Sequence, residues 1–139
     1  MEVLHEVFDI PSEQPMTELK KENSRYYRKE LSEGGHIACF AYTGEKIVGC
    51  GGMCLYQEMP SPDNPNGRCA YLMNIYALPQ FRRRGIGDAV VRWLVSKAKQ
   101  LGITKIFLET SEKGRPLYKE IGFMDMPDMM KLTGEKNKT

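Results

Sequence analysis

Residues 70–95, AYLMNIYALPQFRRRGIGDAVVRWLV, have the pattern of a strand, a turn and a helix in immediate succession. The first residues are apolar almost throughout, which predicts a central strand covered on both faces. Pro79 ends that strand, and three arginines and two glycines follow it. From Ile86 the apolar residues, Trp93 among them, recur at the spacing of one helical face. The pattern predicts an amphipathic helix that ends at Gly102 and buries Trp93 in the core.

The segments before this unit predict a helix and a β-hairpin. Residues Met16–Leu31 place apolar and aromatic side chains close to one helical face, and SEGG ends this helix. HIACFAY and IVGCGGMCLYQEM, joined by TGEK, predict the hairpin. Its glycines at 49, 51 and 52 weaken the strand propensity and indicate a bulge or a close approach of another backbone.

The segments after the unit predict a parallel crossover. ITKIFLET at 103–110 is a strand, and a helix separates it from the strand at 70–77, so the two should pair in parallel. GRPLYKEIGF predicts a short helix that begins through Pro116 and ends at Gly122. Phe123–Leu132 predicts a last strand or two, whose methionines would fill gaps in the core, the less favoured alternative being a promiscuous apolar acceptor site. The expected fold is therefore α/β (α+β), a mixed sheet with helices on both faces.

Length and composition exclude several classes of protein. With 139 residues, 41% of them hydrophobic, the chain is long enough for one domain, which we place at residues 1–132, with a flexible tail at 133–139. The net charge of +2 argues against a nucleic-acid partner. No apolar run reaches about 18 residues, so we expect no membrane partner. MEVLHEVFDIP at the start lacks the pattern of a signal peptide, and we expect a cytoplasmic protein.

The four cysteines and two histidines raise the question of a metal site or a disulfide. Cys50 and Cys54 lie in an extended segment, where four residues span roughly 13 Å, which is too far for a disulfide. No CxxC pair occurs. We therefore expect free thiols in a reducing compartment and no metal.

The turn QFRRRGIG has the features of a site for a phosphorylated ligand. The first amides of a helix have no intrahelical partner and carry partial positive charge. The glycines let a ligand approach the backbone, and the arginines add bidentate donors for phosphate. The alternative is a solvated basic turn before a surface helix. A Walker loop is excluded because GxxxxGK[ST] is absent, and a dinucleotide fingerprint is excluded because Val90 stands where it needs a glycine. The residues concerned are Arg82, Arg83, Arg84, Gly85, Ile86 and Gly87.

LMNIYALPQFRRRGIGDAVV resembles the acetyl-CoA signature of the GNAT superfamily of N-acetyltransferases, R/Q-x-x-G-x-G/A. Arg82, Gly85 and Gly87 occupy its fixed positions. Downstream, PLYKEIGF resembles the second motif of the family, with Tyr118 before Gly122–Phe123. The resemblance covers nearly the whole chain. The loop SEKGRPLY departs from the family pattern, which often has Asn followed by Ala, so no Asn contact to the cofactor is expected here, although Arg115 could replace it.

The resemblance implies a mostly antiparallel sheet that is splayed at its middle strands, with acetyl-CoA in the cleft as the acetyl donor. The pantetheine arm would pair with the backbone of Ile75, Tyr76 and Ala77, and the amides of the basic turn would hold the pyrophosphate. The implied reaction is acetyl transfer to a primary amine of a small molecule or peptide by direct attack on the thioester. The alternative is a module of the same fold that senses acyl-CoA without catalysis.

The resemblance also implies a catalytic acid and leaves the base open. Tyr118 would protonate the departing thiolate, because a phenol with a pKa near 10 suits a thiolate with a pKa near 8.5. Glu109 matches a position that some family members use as the base. Glu58, at the end of the hairpin, is a second candidate on the acceptor side, and a water relay is the third.

The acceptor side is less defined by the sequence. Tyr26 and Tyr27 are candidates for its wall, although one of the two is expected to be ordinary packing. Asn74 is a polar residue in an apolar strand beside the expected thioester, where a buried amide needs partners. The first strand of the family is not recognised before the helix. Either that strand is missing or a neighbouring subunit covers the exposed edge, which favours a homodimer.

Overall fold

The computed structural model describes residues 17–134, with side chains from residue 21 onward. The expectation of an absent first strand lies outside these residues, and so does most of the expected flexible tail at 133–139. Within the described range, the predicted helices, hairpin and crossover are all confirmed, although the strand predicted at 103–110 is shorter and spans only Lys105–Leu108. In chain order the elements are α1 (Thr17–Glu33), β1 (His36–Thr43), β2 (Lys46–Gln57), β3 (Arg68–Ala77), a 3-10 turn (Pro79–Phe81), α2 (Ile86–Gln100), β4 (Lys105–Leu108) and α3 (Arg115–Ile121).

The four strands form one sheet in the order β1-β2-β3-β4. β2 is antiparallel to both of its neighbours, whereas β3 and β4 are parallel, with Cys69 opposite Lys105 and Leu72 opposite Leu108. The parallel pair follows from α2, which carries the chain back along the sheet before β4 begins. The mixed, mostly antiparallel sheet is therefore confirmed, and β3 has the expected central position.

Helices cover both faces of the sheet. On one face lies α2, and a Cβ on Gly51 would be only 2.4 Å from Cγ1 of Val90. On the other face lies α1, where a Cβ on Gly52 would be 2.6 Å from Nε2 of His36, whose ring packs edge-on against Tyr26. Successive strand residues point to opposite faces, so the expected two-sided covering is confirmed. The buried core comprises Met53, Ala70, Leu72, Val90, Val91, Leu94, Ala98 and Ile103.

The glycines of β2 let α2 lie close to the sheet. A Cβ on Gly49 would lie 2.6 Å from Cγ2 of Ile86, so only glycine permits this separation. The ladder between β2 and β3 shifts register around Gly51, where β3 carries an extra residue at Asn74 and Ile75. Asn74 has a φ of 56°, a left-handed conformation that asparagine adopts more readily than most residues. The predicted bulge is confirmed, with its extra residue in β3, whereas the atoms of α2 that approach these glycines belong to side chains and not to a backbone.

The expectation that Trp93 is a core residue is wrong. Its side chain is 42% exposed, and the ammonium of Lys97 lies 5.4 Å from the centre of its ring. Helical periodicity identifies an apolar position, but a position at the border of the buried arc stays accessible to solvent. The buried residues of α2 are Val90, Val91, Leu94 and Ala98.

The predicted last strand is also wrong, since residues 122–134 form no strand. Pro127 interrupts the segment and lacks the amide that a ladder needs. Asp125 forms ion pairs with Arg115 and Lys119, which hold the segment to α3 rather than to the sheet. The methionines of this segment are consequently exposed instead of filling gaps in the core.

We expect Gly51→Ala to destabilise the fold. The added methyl group would lie 2.4 Å from Val90 and 2.8 Å from Cδ1 of Ile75, so α2 would have to move away from the sheet. Overpacking of this kind costs about 2 kcal/mol of unfolding free energy, which urea denaturation measures. Gly87→Ala is the control, because its methyl group would meet only Leu117, at 3.6 Å, and should keep or raise stability. Equal stability of Gly51→Ala and the unchanged protein would contradict this packing argument.

Candidate active site

The parallel ladder between β3 and β4 ends at Leu72 and Leu108, well before β3 itself ends at Ala77. Beyond this point lies a cleft of about 620 Å³. Its walls come from the second half of β3, the turn before α2, the first turn of α2, the segment after β4 and α3. β3 and β4 therefore splay apart at this end, as the resemblance implied, with β4 at the edge of the described four-stranded sheet.

The first turn of α2 lines one end of this cleft. Arg83 and Gly85 have φ angles of 65° and 80°, so the chain turns sharply immediately before the helix. The first intrahelical hydrogen bond runs from the amide of Ala89 to the carbonyl of Gly85, at 3.0 Å. The three amides that follow Gly85 consequently have no acceptor within the helix. Together with the helix dipole, they form a site suited to an anionic group.

The three arginines of the basic turn have different surroundings. Arg82 donates from Nε to the carbonyl of Ala77 at 2.9 Å, and its guanidinium lies 5.3 Å from the ring centre of Tyr76. Arg82 and Arg83 line the cleft. Arg84 instead lies over the ring of Phe81, at 5.2 Å, and is absent from the lining. The structure thus brings two of the three predicted arginines to the cleft.

A second cavity, of about 1500 Å³, lies beside the cleft along β4. It is lined by the sheet, α3 and the segment that follows α3. Two of the sequence-predicted residues, Glu109 and Tyr118, line both cavities. The structure therefore brings the predicted base and the predicted acid to the boundary between two spaces. The residues that line both are Leu108, Glu109, Thr110 and Tyr118.

Tyr118 lies half-buried on α3, with its ring edge-on to Phe123 at 5.8 Å between ring centres. At Gly114, immediately before α3, an added Cβ would lie 2.5 Å from Oγ1 of Thr110 and in ordinary contact with the Tyr118 ring, at 3.5 Å. Burial raises the pKa of the Tyr118 phenol, so the group is neutral at physiological pH. Among the described residues, no hydrogen bond engages its hydroxyl. The Tyr118 hydroxyl can thus donate a proton to a ligand, since no described side chain forms a hydrogen bond with it.

Glu109 is oriented by Tyr71, whose hydroxyl donates to Oε1 of Glu109 at 2.7 Å. Tyr71 lies opposite Phe107 in the parallel ladder, which brings its hydroxyl within reach of a side chain two residues further on. Burial first, and then the hydrogen bond to Glu109, raise the pKa of Tyr71 to about 12. Nothing in the sequence separates Tyr71 from the other aromatic residues of the strand, so its role follows only from the pairing of β3 with β4.

Tyr26 and Tyr27 attach α1 to the sheet. The hydroxyl of Tyr26 shares a hydrogen bond with Nδ1 of His36 at 2.8 Å and lies 3.1 Å from Sγ of Cys54. The hydroxyl of Tyr27 accepts a hydrogen bond from Nδ2 of Asn74 at 3.2 Å. The predicted acceptor-side residues Tyr26, Tyr27 and Asn74 therefore lie on one face of the sheet, and Asn74 also lines the cleft.

This cluster is uncharged and includes unpaired polar atoms. Burial lowers the pKa of His36 and raises the pKa of Tyr26, so both side chains are neutral at physiological pH. Oδ1 of Asn74 is buried without a hydrogen-bond partner among the described residues. His36 and Cys54 were not predicted as site residues. They lie opposite each other in the hairpin, so a prediction of the hairpin register would have identified the pair.

Glu58 lines neither of the two cavities. Its carboxylate pairs with Nζ of Lys105 at 2.9 Å and accepts a hydrogen bond from Nδ2 of Asn64 at 3.0 Å. These two hydrogen bonds, that from Asn64 first, lower the pKa of Glu58. Lys105 begins β4, whereas the cleft opens at the other end of that strand. The ion pair thus fixes the loop before β3 to the start of β4.

Metal ligands, disulfides and membrane-spanning helices were also considered within residues 17–134. No group of three or more histidine, cysteine, aspartate or glutamate side chains is arranged there to hold a metal ion. All four cysteines are free thiols, as predicted. Of the helices in this part of the chain, none combines the length and the apolarity that a bilayer span needs.

The geometry of the cleft agrees with comparisons to known proteins. Residues 4–123 match the model of the acetyltransferase (GNAT) family. The chain is 24% identical over 132 residues to a glucosamine 6-phosphate N-acetyltransferase from Trypanosoma brucei brucei, a match that covers 95% of this chain and 85% of that protein. It is 32% identical over 65 residues to a mouse (Mus musculus) thialysine N-epsilon-acetyltransferase, covering 45% of this chain and 38% of that protein.

Solved structures share the fold. A predicted acetyltransferase from Clostridium acetobutylicum, crystallised with acetyl-CoA, is 31% identical with a TM-score of 0.79, over 86% of this chain and 78% of that chain. A GCN5-related N-acetyltransferase from Ralstonia eutropha JMP134 has the same fold at 24% identity and a TM-score of 0.75, over 85% of this chain and 78% of that chain. The chain described here therefore belongs to the acetyltransferase (GNAT) family and is an acetyltransferase.

Proposed function

We propose that this chain transfers the acetyl group of acetyl-CoA to a primary amine of a small molecule or peptide by direct attack of the amine on the thioester. The observation that carries the proposal is the boundary between the two cavities, which Glu109 and Tyr118 share. Two separate spaces that meet at an acid and a base suit a reaction between two bound substrates. The acetyl-CoA in the Clostridium acetobutylicum relative supports the same donor here.

Acetyl-CoA would occupy the cleft between the splayed strands. The backbone of Ile75, Tyr76 and Ala77 has no β4 partner and would pair with the pantetheine arm as an added strand. The amides at the start of α2 would bind the pyrophosphate, with Arg82 and Arg83 beside it. Arg84, which stacks on Phe81 outside the cleft lining, would contribute only its backbone amide.

The reaction would proceed without a covalent enzyme intermediate. The neutral amine forms a C–N bond to the thioester carbon while an amide of the bulge in β3 polarises the carbonyl oxygen. The C–S bond then breaks, and the thiolate takes the proton of Tyr118. The proton lost from nitrogen passes to Glu109, directly or through water, and the Tyr118 phenolate recovers a proton from solvent. A thiolate with a pKa near 8.5 accepts a proton from a nearby phenol only when the two are held together, which the boundary position provides.

The acceptor would occupy the second cavity, and the predicted residues Tyr26, Tyr27 and Asn74 would shape the sheet face next to it, since the hydroxyl of Tyr26 lies 3.1 Å from Sγ of Cys54, which lines that cavity. Glu58 takes no part in this proposal, because Lys105 and Asn64 engage its carboxylate away from both cavities. A sensor that only binds acyl-CoA would need no uncommitted phenol at the boundary, so we favour catalysis.

Location and assembly are parts of the same proposal. The cytoplasm suits the four free thiols, which a reducing compartment preserves. A homodimer stays a prediction, and so does the single domain over residues 1–132.

Tyr118→Phe should lower the kcat of acetyl transfer by about 100-fold, because the leaving thiolate loses its proton donor. The dissociation constant for acetyl-CoA should change by less than about twofold, since the ring remains. CoA release gives the first quantity and calorimetry the second. Tyr42→Phe is the matched control, because Tyr42 is 59% exposed on β1 and lines neither cavity. Unchanged turnover in Tyr118→Phe would remove Tyr118 from the mechanism.

Gly85→Ala should weaken acetyl-CoA binding by about tenfold or more, because a methyl group would enter the space where phosphate must meet the backbone. Gly44→Ala in the turn between β1 and β2 is the matched control. Both glycines have positive φ angles, 80° and 63°, and both would place the methyl group in open space. Each change should cost about 1 kcal/mol of stability from backbone strain, visible as similar falls in melting temperature. Equal acetyl-CoA affinity for the two variants would argue against a pyrophosphate site at Gly85.

A further inference from the structure

We propose that the acceptor is a primary amine carried on an apolar, uncharged body, such as an alkyl or aryl group, and not a phosphorylated amine. The inference rests on the proposed acetyl transfer and names the substrate class of that same site. It is drawn from the second cavity, whose aromatic, methionine and charged residues are arranged in three distinct groups.

The first group is an aromatic wall formed by Tyr56, Tyr71 and Phe107, all of which line the second cavity. The ring centres of Tyr71 and Phe107 are 5.1 Å apart, and those of Tyr56 and Phe107 are 6.5 Å apart. Tyr56 is 45% exposed, so this part of the wall is not occupied by other side chains of the core. Three neighbouring rings offer a large apolar contact area to a ligand at low entropic cost.

The second group is the set of methionines that follows α3 and lines the same cavity. Met124 is 82% exposed and Met130 is 98% exposed, so neither contributes to the core. Flexible, polarisable thioethers adapt to apolar ligands of different shape. The members of this group are Met124, Met126, Met129 and Met130.

The third group consists of charged residues. Its guanidinium group, on Arg115, is paired with carboxylates of the protein itself. The guanidinium of Arg115 pairs with both Glu112 and Asp125, and Lys119 lies 3.7 Å from Asp125. Tight phosphate binding needs a guanidinium or ammonium group that is not already paired with a carboxylate. Arg115 and Lys119 therefore do not form a phosphate clamp.

The remaining charges also disfavour an anionic acceptor. Lys99 and Lys131 line the cavity but are exposed, where solvent screens their attraction for an anion. Glu109, beside the aromatic wall, forms no ion pair within the described residues, and its only hydrogen bond comes from neutral Tyr71. An uncompensated carboxylate at the reacting end repels a phosphate and attracts an amine. This arrangement differs from what a phosphosugar acceptor, named for the Trypanosoma brucei brucei relative, would require.

The test compares kcat/KM for acetyl transfer to four amines: phenethylamine, hexylamine, ε-aminocaproate and glucosamine 6-phosphate. We expect phenethylamine and hexylamine to exceed glucosamine 6-phosphate by about tenfold or more. We also expect ε-aminocaproate to be no better than hexylamine, since Lys99 and Lys131 are screened. A preference for the phosphate or for the carboxylate would overturn the inference while leaving acetyl transfer in place. Acetylation of none of the four, with acetyl-CoA bound, would count against the proposed function itself.

A pair of variants tests the aromatic wall separately. Tyr56→Ala should raise the KM for phenethylamine by about fivefold and leave the KM for acetyl-CoA unchanged. Tyr42→Ala is the matched control, an exposed tyrosine on the same sheet that lines neither cavity, and it should change neither constant. Met130→Ser, at a side chain that is almost fully exposed, should raise the KM for hexylamine without lowering the melting temperature. Unchanged KM values in both Tyr56→Ala and Met130→Ser would overturn the assignment of the acceptor to this cavity.

Discussion

The early end of the β3–β4 ladder is the constraint on which the functional part of the molecule depends. Backbone hydrogen bonds hold the strands together only as far as Leu72 and Leu108. Beyond that point β3 stays paired with β2, but its other side, from Met73 to Ala77, faces a cleft instead of β4. A strand edge with unpaired amides and carbonyls is a binding surface for extended ligands. The same divergence exposes Glu109, which lies immediately after the last paired residue.

The position of α2 is the second constraint, and the glycines of β2 determine it. Gly49 and Gly51 leave no Cβ between the sheet and the helix, so Ile86 and Val90 approach the strand closely. A helix held at this distance presents its first turn to the cleft rather than to solvent. The proposed pyrophosphate site would therefore depend on small residues in a different element, more than thirty positions earlier in the chain. The close packing of α2 explains why Gly49 and Gly51 are tolerated in a strand, despite their low strand propensity.

Several features follow from the sequence by itself because their causes are local. The helix after Gly85 and its end near Gly102 were predictable, since apolar periodicity and glycine conformations act over a few residues. The parallel pairing of β3 with β4 follows from chirality once a helix connects them. The proposed cofactor-binding residues lie on this continuous segment, where Arg82, Gly85 and Gly87 resemble the family motif. The local elements and the family could therefore be predicted from residues that are neighbours in sequence, whereas the roles of the site residues stay predictions.

Only the tertiary structure decided the rest, because it depends on contacts between distant residues. Tyr71 meets Glu109 across 38 positions, and Lys105 meets Glu58 across 47, and neither pair has a sequence signal. Trp93 recurs at the apolar spacing of α2, yet it lies outside the part of the helix surface that is buried against the sheet. The apolar pattern alone does not show how wide that buried part is. The sequence thus determined the elements and the basic turn before α2. The three-dimensional arrangement determined that Glu109, and not Glu58, lies at the boundary of the two cavities and which side chains line them, because the register of paired strands controls both.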